Sequence, residues 1–223
     1  MPEFQLYIGY RTTSTWSLRG WLAMRKAGVP FEETMIRYRR PEDKARLVGV
    51  SPTGQVPLLI HRRGDAEIKV WDSLAIGEYL AELFPERRLW PADAEARAFA
   101  RSISAEMHSG FRPLRNHLSM ALLERHPGEG YTDPEAAADI RRVTEIWRTA
   151  RERWGKPGGG PYLFGHFTIA DAMYAPVVTR FRTYAVPVDP ETRGYMDAIL
   201  ADPDFLAWEN QAKQDPPAEP FPA

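Results

Sequence analysis

The spacing of apolar residues changes period several times along the first third of the chain. In Phe4-Gln-Leu-Tyr-Ile-Gly9, the residues Phe4, Leu6 and Ile8 alternate with period two and predict a strand. From Thr15 to Ala27, Leu18, Trp21 and Leu22 stand at helical spacing, and Gly28 is placed to end that helix. Strand character resumes over Phe31 to Arg37, and a short polar helix is expected from Pro41 to Val48. The runs Leu58–His61 and Ile68–Trp71 flank Arg62-Arg-Gly-Asp65, the pattern of a hairpin turn containing glycine. Next, Ile76, Tyr79, Leu80, Leu83 and Phe84 fall on one helical stripe, closed by Pro85 and suited to cover a sheet face.

Beyond Pro85 the pattern changes. Pro-Glu-Arg-Arg-Leu-Trp-Pro91 is a proline-bracketed connector, and the rest of the chain reads as helix and loop. Ile140, Val143, Trp147, Ala150 and Trp154 keep one face of a long helix whose end is expected at Gly155. Phe167-Thr-Ile-Ala-Asp171 places Thr168 to cap a helix and Asp171 to reach back, a variant of the capping box. That helix should run to about Tyr184, with a kink near Pro176. The expected organisation is an α/β unit over residues 1–85, a linker over 86–92, an all-helical unit over 93–215 and a disordered tail over 216–223.

Composition narrows the function. A chain of 223 residues with 43% hydrophobic content can bury a sizeable core. Lys+Arg 29 against Asp+Glu 30 leaves a formal charge of −1, so no bulk field draws the chain to nucleic acid or an anionic membrane. The lack of cysteine removes disulfides, thiolate metal sites and a cysteine nucleophile, so any thiol chemistry must use a thiol from outside. The histidines at 61, 108, 117, 126 and 166 show no metal-ligand spacing, and no metal is expected. Gly158-Gly-Gly160 lacks the Lys and Ser/Thr of a phosphate loop and reads as a flexible loop. With neither a leader-like pattern nor a run of about 18 apolar residues, a soluble cytoplasmic protein is expected.

Two places combine helix starts with polar side chains. Tyr10-Arg-Thr-Thr-Ser-Thr-Trp-Ser-Leu-Arg19 is a hydroxyl-rich loop entering a helix whose first N–H groups carry positive partial charge. A thiolate held there gains from the dipole and from a donated hydroxyl hydrogen bond, and Ser14, Thr15 and Ser17 compete for that role. Plain helix capping is the alternative for each. Asp72-Ser73 opens the apolar helix in the same way: Ser73 suits a carboxylate and Asp72 an ammonium, again with a plain cap as the alternative. Upstream, Pro57 has no N–H to give a ladder and marks the start of a strand beside open space. A cis Val56-Pro57 bond would turn the Val56 N–H and C=O outward for an extended ligand, with Gln55 adding an amide contact. Arg11, Arg19, Lys44, Arg180 and Arg182 are candidates to guide an anion, solvated side chains being the alternative.

Taken in order, these segments resemble the cytosolic glutathione transferases, and within them the zeta-like bacterial group. The resemblance rests on Ser14-Thr-Trp-Ser-Leu-Arg19, similar to the Ser-Ser-Cys-Ser-x-Arg loop of the zeta class, on Gln55-Val-Pro57, on Asp72-Ser-Leu-Ala-Ile76 and on Thr168-Ile-Ala-Asp171. It spans nearly the whole chain and implies a thioredoxin-like amino-terminal domain with an all-helical carboxy-terminal domain. It further implies glutathione as co-substrate, Ser14 as thiolate stabiliser, Val56 on the cysteinyl backbone, Ser73 on the γ-glutamyl carboxylate, and Gln55 and Asp72 lining that end. Trp16 stands where the zeta class keeps a cysteine, and Thr183 stands where its isomerases keep an arginine, with Arg180 and Arg182 nearby.

The leading expectation is a transferase or peroxidase that presents the glutathione thiolate to a small electrophile or hydroperoxide, a detoxification chemistry. Arg11, Trp16, Arg180 and Arg182 are the candidates around the second substrate. The alternatives are a zeta-type isomerase of a maleyl-type diacid and a non-catalytic glutathione-fold binding protein. A homodimer is expected on the resemblance.

Overall fold

The computed structural model describes residues 3–216, so the tail expected over 216–223 lies, apart from Pro216, outside the described residues. Strand β1 (Phe4–Ile8) is buried on both faces. Phe4, Leu6 and Ile8 share one apolar cluster with Leu18, Trp21 and Leu22 of helix α1 (Thr15–Ala27) and with Ile76 and Leu80 of helix α3 (Ser73–Leu83). Tyr7 points the other way and joins Leu47 of helix α2 (Pro41–Val50) and Leu58 and Ile60 of strand β3 (Leu58–Arg63). Alternation along β1 therefore separates two cores, one on each side of the sheet.

With β2 (Glu32–Met35) and β4 (Ala66–Trp71) the strand order is β2-β1-β3-β4. β1 and β2 run parallel across the α1 crossover, whereas β3 is antiparallel to β1 and β4 to β3. Strand β2 is shorter than the Phe31–Arg37 run because its pairing spans only Gln5 to Ile8 of β1. This mixed sheet, covered by helices, is the thioredoxin-like arrangement expected.

The chain beyond is largely helical: α4 (Ala94–Ser109), α5 (Arg112–His117), α6 (Pro134–Ala150), α7 (Ile169–Thr183), α8 (Pro190–Leu200) and α9 (Pro203–Gln214). α6, α8 and α9 each start at an Asp-Pro pair. Asp133, Asp189 and Asp202 accept first-turn N–H groups, and proline comes next, where its missing N–H costs nothing. α6 runs on as a wider turn to Gly155, where a Cβ would lie 2.8 Å from the Tyr162 carbonyl oxygen. Among the described residues no helix is long and apolar enough to cross a membrane.

Helix α7 is the spine of this part, with every residue but Arg182 buried. Its capping box forms as expected: Asp171 Oδ2 accepts the Thr168 N–H at 2.8 Å and the Thr168 hydroxyl at 3.0 Å, while Oδ1 accepts the Leu163 N–H at 3.1 Å. Burial pushes the Asp171 carboxyl up to about 6, against the pull of those donors. The helical part grips the sheet part through α1: Trp21 packs on Trp208 with centroids 5.4 Å apart, and Lys26 meets Asp202 at 2.8 Å.

Replacing Asp171 with Ala strands three buried donors, each worth about 1–3 kcal/mol when unsatisfied. Asp171→Ala is therefore expected to lose at least about 3 kcal/mol, read as a lower urea midpoint at unchanged slope. Thr168→Ala, which keeps the carboxylate, should lose only about 1 kcal/mol.

Candidate functional site

The first turn of α1 is held by a chain of hydroxyls. Ser14 is the N-cap; its Oγ accepts the Ser17 N–H at 3.4 Å and donates to Ser17 Oγ at 2.8 Å. Ser17 is fully buried and its Oγ accepts the Gly9 N–H at 2.9 Å, so the end of β1 fixes the start of α1. Gly9 permits this approach, since a Cβ there would sit 3.3 Å from Ser14 Oγ. Of the three hydroxyls predicted here, Ser14 and Thr15 are half-buried and Ser17 lies behind them.

Beside this turn lies a cleft of about 420 Å³, bounded by Trp16 of α1, by Gln55, Val56 and Pro57, and by Asp72 and Ser73 at the start of α3. The Val56-Pro57 peptide bond is cis. Among the described residues the Val56 N–H and C=O take no backbone partner. Gly20 lets α1 close on this loop: a Cβ would meet Pro57 Cγ at 3.1 Å. The Ser73 hydroxyl is buried without a hydrogen-bond partner, and Ser73 is among the residues lining the cleft, an arrangement suited to an incoming acceptor.

Asp72 holds a backbone conformation of φ 78° and ψ 133°, outside the range that side-chain-bearing residues favour. Its own carboxylate secures that geometry, because Oδ1 accepts the Leu74 N–H at 2.8 Å and the Ala75 N–H at 3.4 Å. The other oxygen lies 3.1 Å from His108 Nε2 of α4, which crosses over from the helical part. His108 also meets Trp16 edge-on at 5.2 Å, and both line the cleft. No local pattern marks His108, or Thr53 at the cleft's other wall, since each is brought in by tertiary packing.

Of the sequence-predicted residues, Ser14, Thr15 and Ser17 do not line the cleft and adjoin it through Trp16. Trp16, Gln55, Val56, Pro57, Asp72 and Ser73 share the cleft. Arg11 does not enter it: its guanidinium pairs with Asp215 at 2.8 Å and with Glu33, whose other oxygen accepts Trp21 Nε1–H. Arg11 instead borders a second cavity of about 550 Å³ formed by the Tyr10–Thr13 loop, Leu122 and the end of α9. Arg180 is buried and donates to the carbonyls of Leu118 and Pro176, while Arg182 pairs with Glu209 at 3.1 Å. Lys44 is exposed on α2. Among the described residues no cluster of side chains suited to a metal ion occurs.

Two family models match the chain, "Glutathione S-transferase, N-terminal domain" over residues 13–83 and "Glutathione S-transferase, C-terminal domain" over residues 133–209. The probable maleylacetoacetate isomerase of Caenorhabditis elegans is 31% identical over 205 residues, covering 91% of each chain. The maleylacetoacetate isomerase of Rattus norvegicus is 30% identical over 220 residues, covering 96% of this chain and 95% of its own. Among solved structures, a glutathione transferase homologue from Burkholderia with bound glutathione superposes with a TM-score of 0.71 at 24% identity, over 96% of this chain and 100% of that one. A maleylacetoacetate isomerase from Anaeromyxobacter dehalogenans with glutathione in its active site gives 0.68 at 24% identity, over 97% and 98%.

The strained cap makes a sharp prediction about residue 72. Asp72→Ala loses the cap and keeps the unfavourable φ, and should cost about 2 kcal/mol in chemical denaturation. Asp72→Gly loses the same cap but relaxes the backbone, and should cost less than half as much.

Proposed function

Because the chain belongs to the glutathione S-transferase family, we propose that its cleft binds glutathione and that the enzyme presents the thiolate to a small electrophile or hydroperoxide. The observation that carries this reading is the meeting, around one cavity, of the open Val56 main chain, the unpartnered Ser73 hydroxyl at the N-terminus of α3, and the side chain of Asp72. The γ-glutamyl carboxylate would accept from Ser73 and the first N–H groups of α3, and its ammonium would meet Asp72. The cysteinyl N–H and C=O would pair with Val56 in the manner of an added strand, placing the sulfur toward the first turn of α1.

Ser14 then acts on the sulfur. Hydroxyl protons turn freely, so the Ser14–Ser17 bond can reverse, with Ser17 donating to Ser14 and Ser14 to the thiolate. The Gly9 N–H already donates into this chain from behind, and each bond polarises the next. The thiol proton leaves to solvent, and the sulfur adds to an electrophilic carbon. With a hydroperoxide the sulfur takes the distal oxygen as the O–O bond breaks, giving a sulfenic acid and an alkoxide that takes a proton from solvent, and a second glutathione thiol then displaces water from the sulfenic acid to complete the disulfide.

The isomerase reading draws support from relatives that bear that name at 30–31% identity over nearly their whole length. It needs an arginine for the diacid, and Arg180 and Arg182 are engaged with Leu118, Pro176 and Glu209. The same proposal takes residues 1–85 and 93–215 as domains joined at 86–92, and a homodimer for which an apolar groove of about 1030 Å³ between α3 and α4 offers a face.

Calorimetric titration with glutathione, together with assays on an aryl halide, an organic hydroperoxide and a maleyl diacid, tests this reading. Saturable binding with turnover of either of the first two supports it, and turnover of the diacid alone moves the assignment to the isomerase. Ser14→Ala removes a hydrogen bond to a charge worth about 1.5–3 kcal/mol. It should raise the bound thiol's pKa by about 1–2 units with little change in affinity for the neutral thiol. Ser73→Ala should instead weaken glutathione binding about tenfold or more and leave that pKa in place.

A further inference from the structure

Behind Trp16 lies a concentration of positive charge drawn from α1, α5 and α7. The guanidinium carbons of Arg19 and Arg115 lie 4.6 Å and 5.1 Å from the Trp16 ring centroid. Arg180 is close enough to both for its charge to act on theirs. Arg19 and Arg180 are buried, and Arg115 is half-buried. All three take main-chain carbonyls as hydrogen-bond acceptors: Arg19 the Met173 oxygen at 3.1 Å, Arg115 those of Met107 and His108, and Arg180 those of Leu118 and Pro176. Carbonyls satisfy N–H groups without cancelling charge. Arg19 Nη1 is buried with no hydrogen-bond partner at all.

Counter-charge nearby is sparse. Among the described residues none of the three guanidiniums forms an ion pair with a carboxylate. Asp139 of α6 faces Arg115, with its Oδ2 accepting the Leu114 N–H at 3.0 Å, and Asp72 is already shared between the cap of α3 and His108. The phenol of Tyr174 faces Arg19 but is held neutral by its burial, and the phenol of Tyr184 faces Arg180. Burial, reinforced by the two neighbouring guanidiniums, drives Arg19 well below its usual value, and burial with Arg115 brings Arg180 to about 10. Asp72 pulls Arg19 the other way, so the field of this cluster reaches the wall of the cleft.

Positive charge in low-dielectric surroundings interacts strongly with any negative charge brought into them. We propose that Arg19, Arg115 and Arg180 form a cationic wall behind Trp16 that favours the ionised form of the glutathione thiol through space, adding to the direct hydrogen bond from Ser14. The inference rests on reading the cleft as the glutathione site. Arg115 is the accessible member to test, being only half-buried, and it acts without touching the sulfur.

The experiment monitors thiolate absorbance of bound glutathione against pH, with affinity measured by calorimetry, in the unaltered protein and in Arg115→Lys, Arg115→Met and Asp139→Asn. Arg115→Met should hold about tenfold less thiolate at a fixed pH below the titration, a shift upward of about one unit, while Arg115→Lys stays within about threefold of the original. Asp139→Asn keeps an acceptor for the Leu114 N–H but removes the facing negative charge. It should shift the titration the opposite way, with about threefold more thiolate, and it serves alone if Arg115→Met fails to fold. Titrations of Arg115→Met or Asp139→Asn that coincide with the original overturn the inference and leave the glutathione site standing. Failure of the unaltered protein to bind glutathione overturns the site reading and the inference with it.

Discussion

Helix α1 is the element on which the rest of the molecule depends. It is packed on the sheet through Leu18, Trp21 and Leu22, on α7 through Arg19, and on α9 through Trp21 and Lys26. A helix gripped on so many sides has no freedom to roll or slide. Its N-terminus is therefore fixed in space, and the Gly9–Ser17–Ser14 chain fixes the direction in which its first turn opens. Chemistry at a helix end demands this rigidity, because the dipole and its capping groups act only over the first turn.

How much of this was legible in the sequence depends on whether a feature is local. The period-two run of β1, the Gly28 stop and the Thr168–Asp171 box are each decided by a few neighbouring residues, and each formed where expected. Gln55, Val56, Asp72 and Ser73 were also visible, since turns and caps carry their own residue preferences. His108 was not, because nothing around it in α4 announces that it crosses to Asp72. The arginines show the same limit from the other side. Arg11, Arg180 and Arg182 look alike in sequence, and only packing ties the first to Glu33 and Asp215, buries the second against carbonyls and pairs the third with Glu209.

Asp72 and the buried guanidiniums share a physical theme. Each holds the chain in a state that costs free energy locally, a strained φ in one case and charge without counter-charge in the other. Asp72 lines the cleft, and the guanidiniums of Arg19 and Arg115 lie against Trp16, which lines it too. The helix starts at Asp133, Asp189 and Asp202, by contrast, are capped without a positive φ.

The clamp from Arg11 to Asp215 joins residues 204 positions apart. A chain that leaves the ribosome in order therefore presents the loop leading into Ser14 long before its anchor exists. The sheet can assemble around β1 while synthesis continues, but the rim of the second cavity takes its shape only when α9 has been released and docked. Timing of synthesis thus separates the sheet from the finished rim of that second cavity. A nascent chain that ends before α4 carries every residue of the Trp16–Ser73 wall but lacks His108, which lines the cleft from the helical part.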